Sequence, residues 1–176
     1  MATAVPTRTE SPRASRARSP LSPDAYERAL AAAALVLLGA TLIGVARGYG
    51  RWGEMPALVW AHLASVGVAL ALTPALFLRA RGDRTHRVLG WIWAAAMFAT
   101  ACVSFGIREL GNGRLSPIHI LSAIVLLSIP ALLLTARGHK HRPHRRIARG
   151  LTTGGLLIAG VLTFPGGRQL GAWLLG

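Results

Sequence analysis

Acidic side chains are scarce in this 176-residue chain, which has six Asp and Glu against twenty Lys and Arg, for a formal net charge of +14. The six are Glu10, Asp24, Glu27, Glu54, Asp83 and Glu109. All are read as tail or loop residues, so no carboxylate is expected in an apolar run, and proton-coupled transport through an intramembrane acid is disfavoured. Cysteine is represented by Cys102 alone, which excludes an intrachain disulfide and a disulfide scaffold. It lies in an apolar run and is expected to be a buried thiol. The sequence has no G-x-S-x-G elbow, H-E-x-x-H pair or P-loop, so the hydrolytic and nucleotide chemistry built on those motifs finds no support.

The apolar content is high, with 52% hydrophobic residues, 15% charged residues and a mean hydropathy of +0.45. A soluble protein this basic would first be read as a nucleic-acid binder. Here the arginines fall between long apolar runs, which points to membrane spans with basic loops and away from nucleic acid.

Residues 1–21 are rich in Ser, Pro, Thr and Arg with no apolar period, and read as a flexible basic tail. Their basic stretch is too long for a secretory signal, and the apolar run that follows exceeds a signal core. Residues 22–164 read as an all-α polytopic helix bundle of five transmembrane helices. The first opens at Ser22 as N-cap with Pro23 as its first residue and runs to about Ala46. Asp24 and Glu27 then fall in its first turn, where the helix dipole favours acids. The second spans Ala57 to Leu78 with a kink expected at Pro74, and the third spans Val88 to Ile107. The fourth takes Ser116 as N-cap and Pro117 as first residue, with a kink at Pro130. The fifth, Ile147 to Phe164, is Gly-rich and barely long enough. Residues 165–176 read as an interfacial tail anchored by Trp173, and Trp60, Trp91 and Trp93 as interfacial anchors, with 91 and 93 on different helix faces. Gly150 and Gly154 form a small-xxx-small face for close packing.

Fifteen of the twenty basic residues lie in the amino-terminal tail and in the loops after the second and fourth spans. The other five are Arg47, Arg51, Arg108, Arg114 and Arg168. This partition places the amino terminus in the cytoplasm of a bacterial inner membrane, with the inner loops against anionic lipid.

An internal repeat is readable. From His62 the chain runs HLASVGVALALTPALFLRARGDRTHR, and from His119 it runs HILSAIVLLSIPALLLTARGHKHRPHR. Each copy has His, Ser three residues on (Ser65, Ser122), a proline within an apolar helix, Ala-Arg-Gly, then His-Arg at the next helix (His86, His144). At 1.5 Å per residue, His62 and His119 lie roughly 10 Å outward of the midpoints of their spans, and His86 and His144 roughly 16 Å inward of theirs. Two matched pairs at two depths are what bis-imidazole ligation of two haems requires. Ser65 and Ser122, one turn from the histidines, could orient an imidazole, although bonding to a helix carbonyl is the simpler role.

In the order His62, His86, His119, His144 on consecutive spans, the chain is similar to the transmembrane two-haem cytochromes b. That resemblance implies haem b at an outer site (His62, His119) and an inner site (His86, His144), with a redox donor and acceptor as partners. In HRVLGWIW (86–93) and SPIHILS (116–122) the chain resembles an uncharacterised bacterial multi-span membrane family over roughly residues 30–165. That likeness implies a small polytopic inner-membrane protein without implying an activity. The expectation is a haem-b electron carrier; the alternative is a non-catalytic accessory subunit or small-solute binder with packing histidines. The His139, His141, His144 tract suits imidazole-loving metals, but its neighbouring cations repel a divalent ion.

Overall fold

Capping signals between apolar runs divide the chain into helices. They are α1 (Ala25–Arg47), a 3-10 segment (Tyr49–Glu54), α2 (Ala57–Leu78), α3 (Arg84–Ser104), α4 (Ile118–Arg137), α5 (His141–Gly150), a π-helical stretch (Leu151–Ile158), α6 (Ala159–Val161) and α7 (Gln169–Leu175). The computed structural model describes residues 22–79, 81–107, 118–165 and 168–175. Among these there is no strand, and four helices, α1 to α4, are long and apolar enough to cross a membrane.

The expected fifth span is helical but starts earlier and is composite, because α5, the π stretch and α6 follow one another without a break. The residues at both junctions, Leu151 and Ala159, keep right-handed helical backbone. α2 packs between α1 and α3, and α3 packs against α4. α4 packs against α5, and the π stretch returns onto α1, α2 and α4, so the helices close into a ring. Prolines 74 and 130 lie inside α2 and α4, each assigned as a single helix. Much of the outward surface is apolar, with Val36 73% and Leu127 78% exposed, as expected of helices that meet lipid. Cys102 is on that exposed surface and not buried.

α1 starts two residues later than the Ser22 N-cap predicts. Asp24 is the N-cap: its carboxylate accepts the Glu27 amide at 3.0 Å, while the Glu27 carboxylate accepts the Asp24 amide at 3.2 Å. This reciprocal capping box satisfies two orphan donors and outcompetes a Ser-Pro start. α3 likewise opens at Asp83, whose carboxylate accepts the His86 amide at 2.6 Å. The loop before it turns at Gly82, whose φ of 92° suits a residue without Cβ. The expected N-cap of the fourth span, Ser116, and the tail 1–21 lie outside the described residues.

Glu27 falls in the first turn of α1, as expected, but has no exposed surface, which the grouping of the acids with tail and loops did not anticipate. Arg145 of α5 grips it with both arms of its fork, Nε to Oε1 at 2.7 Å and Nη2 to Oε2 at 2.9 Å. Arg149 donates to Oε1 at 3.2 Å, and Arg81, in the α2–α3 loop, pairs with Oε2. Asp24 extends the network to Arg149 and to Arg145 at 3.1 Å. Three basic residues that the sequence assigns to lipid headgroups therefore hold α1, the α2–α3 loop and α5 together.

The π stretch decides which glycines pack. Its i→i+5 bonding spreads a turn over more residues and rotates the face that follows. Gly150 and Gly154 have open space where a Cβ would stand, so the expected packing face is not at these two. A Cβ at Gly155 would collide with Val125, and one at Gly160 would lie 2.5 Å from Leu37 Cδ2. Two tryptophans expected at interfaces are instead inside. Trp93 is buried and donates from Nε1 to Thr73 Oγ1 at 3.0 Å, and Trp173 of α7 is buried against Gly48 at the end of α1. Trp91 is half exposed, so 91 and 93 do face different ways.

Glu27→Gln removes one partner of a buried charge cluster and is expected to cost about 3–5 kcal/mol, read by chemical denaturation of the purified protein in detergent. A cost below that of an ordinary surface substitution would show that the cluster does not hold these elements together. Burial pushes the Asp24 carboxyl up, but the Glu27 amide and the Arg149 and Arg145 guanidiniums outweigh it and hold it below its ordinary 3.8. Its stabilisation is thus full above that value and is lost as pH falls through the lowered one.

Candidate functional site

A cavity of about 290 Å³ lies in the half of the bundle away from the Glu27 cluster. Its floor is apolar, built from Val66, Leu70, Met97, Val125 and Leu156. From Val59 to Leu70 its α2 wall rises through eleven residues, about 16 Å. Met55, Ile107, Thr163 and Arg168, at the ends of their elements, frame its mouth.

The polar wall comes from α3, which stands between α2 and α4. These two pack on α3 rather than extensively on one another. Thr100 and Ser104 are one turn apart on the same face of α3. The one hydroxyl proton of Thr100 is shared between Ser65 Oγ and the Ala96 carbonyl, both at 2.8 Å, and Ser65 passes its own proton to the His62 carbonyl at 2.9 Å. Ser104 donates to the Ala101 carbonyl at 2.8 Å, which leaves Ser122 as donor in their 2.6 Å contact. The two serines singled out by sequence thus each meet an α3 hydroxyl, and Ser65 holds a helix carbonyl rather than an imidazole. The Thr100 and Ser104 signal was present in the i, i+4 spacing of hydroxyls on an otherwise apolar helix.

The histidines part company. His62 lines the cavity against the backbone of Thr100, and its Nδ1 is buried with no hydrogen-bond partner among the described residues. His119 is also buried but is not among the lining residues, and its ring packs on Phe105 at 5.7 Å between centroids. At the opposite end His86 stands in the first turn of α3 and His144 in the first turn of α5. His144 Nδ1 contacts the Leu132 carbonyl at 3.2 Å. A carbonyl can only accept, so Nδ1 carries the proton and Nε2 the lone pair. His86 Nδ1 is buried and has no hydrogen-bond partner among the described residues.

A bis-imidazole haem needs two rings facing one site. As these side chains stand, the outer pair does not meet that requirement, because one ring faces the cavity and the other faces Phe105. The cavity is also at the lower bound for small-molecule pockets. In the inner pair one ring, His144, already has its tautomer set by a carbonyl, as metal-binding imidazoles do. Among the described residues no group of three or more His, Cys, Asp or Glu gathers as a metal site. Sequence reasoning passed over Arg168, which reaches the cavity mouth, and Gln169 beside it.

No protein-family model matches the chain, nor does any curated protein or solved structure. The molecule is therefore defined by its own features, as an all-α bundle with four membrane-length helices and a mostly apolar cavity open at one end.

Thr100→Val deletes the donor to Ser65 while keeping the side-chain shape, and is expected to destabilise the protein by about 0.5–1.5 kcal/mol, with Thr100→Ser close to wild type. Equal losses in the two variants, measured by thermal unfolding in detergent, would show that shape and not the hydroxyl matters here.

Proposed function

We propose that this protein is an integral membrane binding protein whose cavity takes a small, mainly apolar molecule with one hydrogen-bonding group. The carrying observation is the cavity itself, about 290 Å³ and mostly apolar, with His62, Thr100 and Ser104 among its polar lining residues. A mostly apolar pocket with a few polar groups in its wall is the usual form of a small-molecule site, the apolar part giving affinity and the polar groups orientation. The three-to-one partition of basic residues supports an amino terminus in the cytoplasm of a bacterial inner membrane, with the cavity opening toward the outer face. Basic residues outside the Glu27 cluster then meet anionic lipid.

The test uses dodecanol as probe with the full chain in a neutral maltoside micelle. Dodecanol is expected to raise the thermal midpoint of the wild-type protein and to leave Val66→Trp, whose indole fills the cavity, unchanged. Equal responses of the two proteins would remove the cavity reading.

A second reading, a haem-b electron carrier, is favoured by one observation, the tautomer of His144 set by Leu132. His86 and His144 would hold the iron, and the haem would supply one-electron chemistry. The Leu132 carbonyl would orient His144 and raise its basicity. Protein purified from haem-replete cells and reduced with dithionite is then expected to show a low-spin haem b spectrum that His144→Ala loses. Colourless protein would discard this reading and leave the binding-protein reading untouched.

A further inference from the structure

Arg168 lies in the segment between α6 and α7 and lines the mouth of the cavity. Among the described lining residues it is the one permanently charged side chain, and no carboxylate is among them. Among the described residues no acid pairs with it, and partial burial pushes its ionisation down with nothing to oppose the shift. The other arginines that are drawn inward, Arg81, Arg145 and Arg149, are all met by Asp24 or Glu27. Arg168 is thus a partly buried cation in a cavity whose other polar lining residues offer hydroxyls, an amide and an imidazole but no anion. Below His62 the α2 wall is apolar, through Leu63, Val66 and Leu70.

We propose that the cavity selects an amphiphile with one anionic head and a single apolar chain, the head held by Arg168 and Gln169 and the chain lying along Val66, Leu70 and Met97. A guanidinium offers a planar fork of donors that matches carboxylate and phosphate oxygens, and the pairing is strong where water is partly excluded. The cavity volume, about 290 Å³, suits one chain rather than two. The inference rests on the binding reading above and adds the charge and place of the head.

The experiment compares laurate, dodecyl phosphate, dodecanol and dodecyltrimethylammonium at matched mole fraction in the micelle, using the full chain and reading thermal stabilisation against dose. Acetate and inorganic phosphate are the chainless controls. Laurate or dodecyl phosphate is expected to bind about tenfold tighter than dodecanol, with the cationic probe weakest and the chainless anions inert. Preference between the two anions separates a carboxylate source from a phosphate source. Arg168→Gln is expected to bring the anions level with dodecanol, and Arg168→Lys to keep part of the preference. Dodecanol matching the anions in the wild-type protein would overturn the proposal while leaving the cavity reading intact, as would an anion preference that survives Arg168→Gln. Failure of all four alkyl probes to stabilise the wild-type protein would overturn both. The head-group comparison in wild type needs no variant, so a misfolded Arg168→Gln does not stall the test.

Discussion

A carboxylate with no exposed surface stays ionised only if cations reach it, and the buried Glu27 side chain is met by three. In lipid, helices gain nothing from hiding apolar surface against one another, because acyl chains are equally apolar. Association then depends on polar ties and on close fit. Arg145 lies 118 residues from Glu27 along the chain, yet both arms of its fork end on that carboxylate. That contact joins the first helix to the helix that closes the ring. Arg81 brings the α2–α3 loop into the same knot.

Close fit does the rest of the holding. The π stretch places Gly155 against Val125 and Gly160 against Leu37, where any larger residue would push α4 or α1 away. Gly48 does the same for Trp173 and so seats α7 on the end of α1. Leu170 of that helix lines the cavity, as does Arg168 just before it, so the seating of α7 also shapes the mouth of the site. The charged knot and the cavity thus occupy opposite halves of the bundle, one holding it together and the other leaving space inside it.

Within the cavity half, α3 is the divider. Its hydroxyls reach the Ser65 side on α2 and the Ser122 side on α4. His62 is left facing the cavity and His119 facing Phe105. His86 and His144 are at the other end, where α3 and α5 begin.

The helices themselves were legible in the chain, since apolar length, acids near helix starts and loop prolines all act locally. The four membrane-length helices and the basic loops between them follow from composition and sequence order. Start points shifted by a few residues where a carboxylate three residues upstream of an amide made a better cap than Ser-Pro, as at Asp24. The site was less legible. Equal depth of His62 and His119 could be counted from a 1.5 Å rise, but depth says nothing of azimuth, and azimuth depends on how each helix is rotated against its neighbours. The same reason hid Arg168 and Glu27, whose partners or surroundings come from residues far away in the chain. The amino-acid sequence by itself determined which segments are helical and apolar enough to cross a membrane, because those properties are sums over neighbouring residues. Tertiary structure alone decided which arginines meet acids, which glycines pack and which histidine faces the cavity, because each depends on contacts between helices that no local pattern encodes.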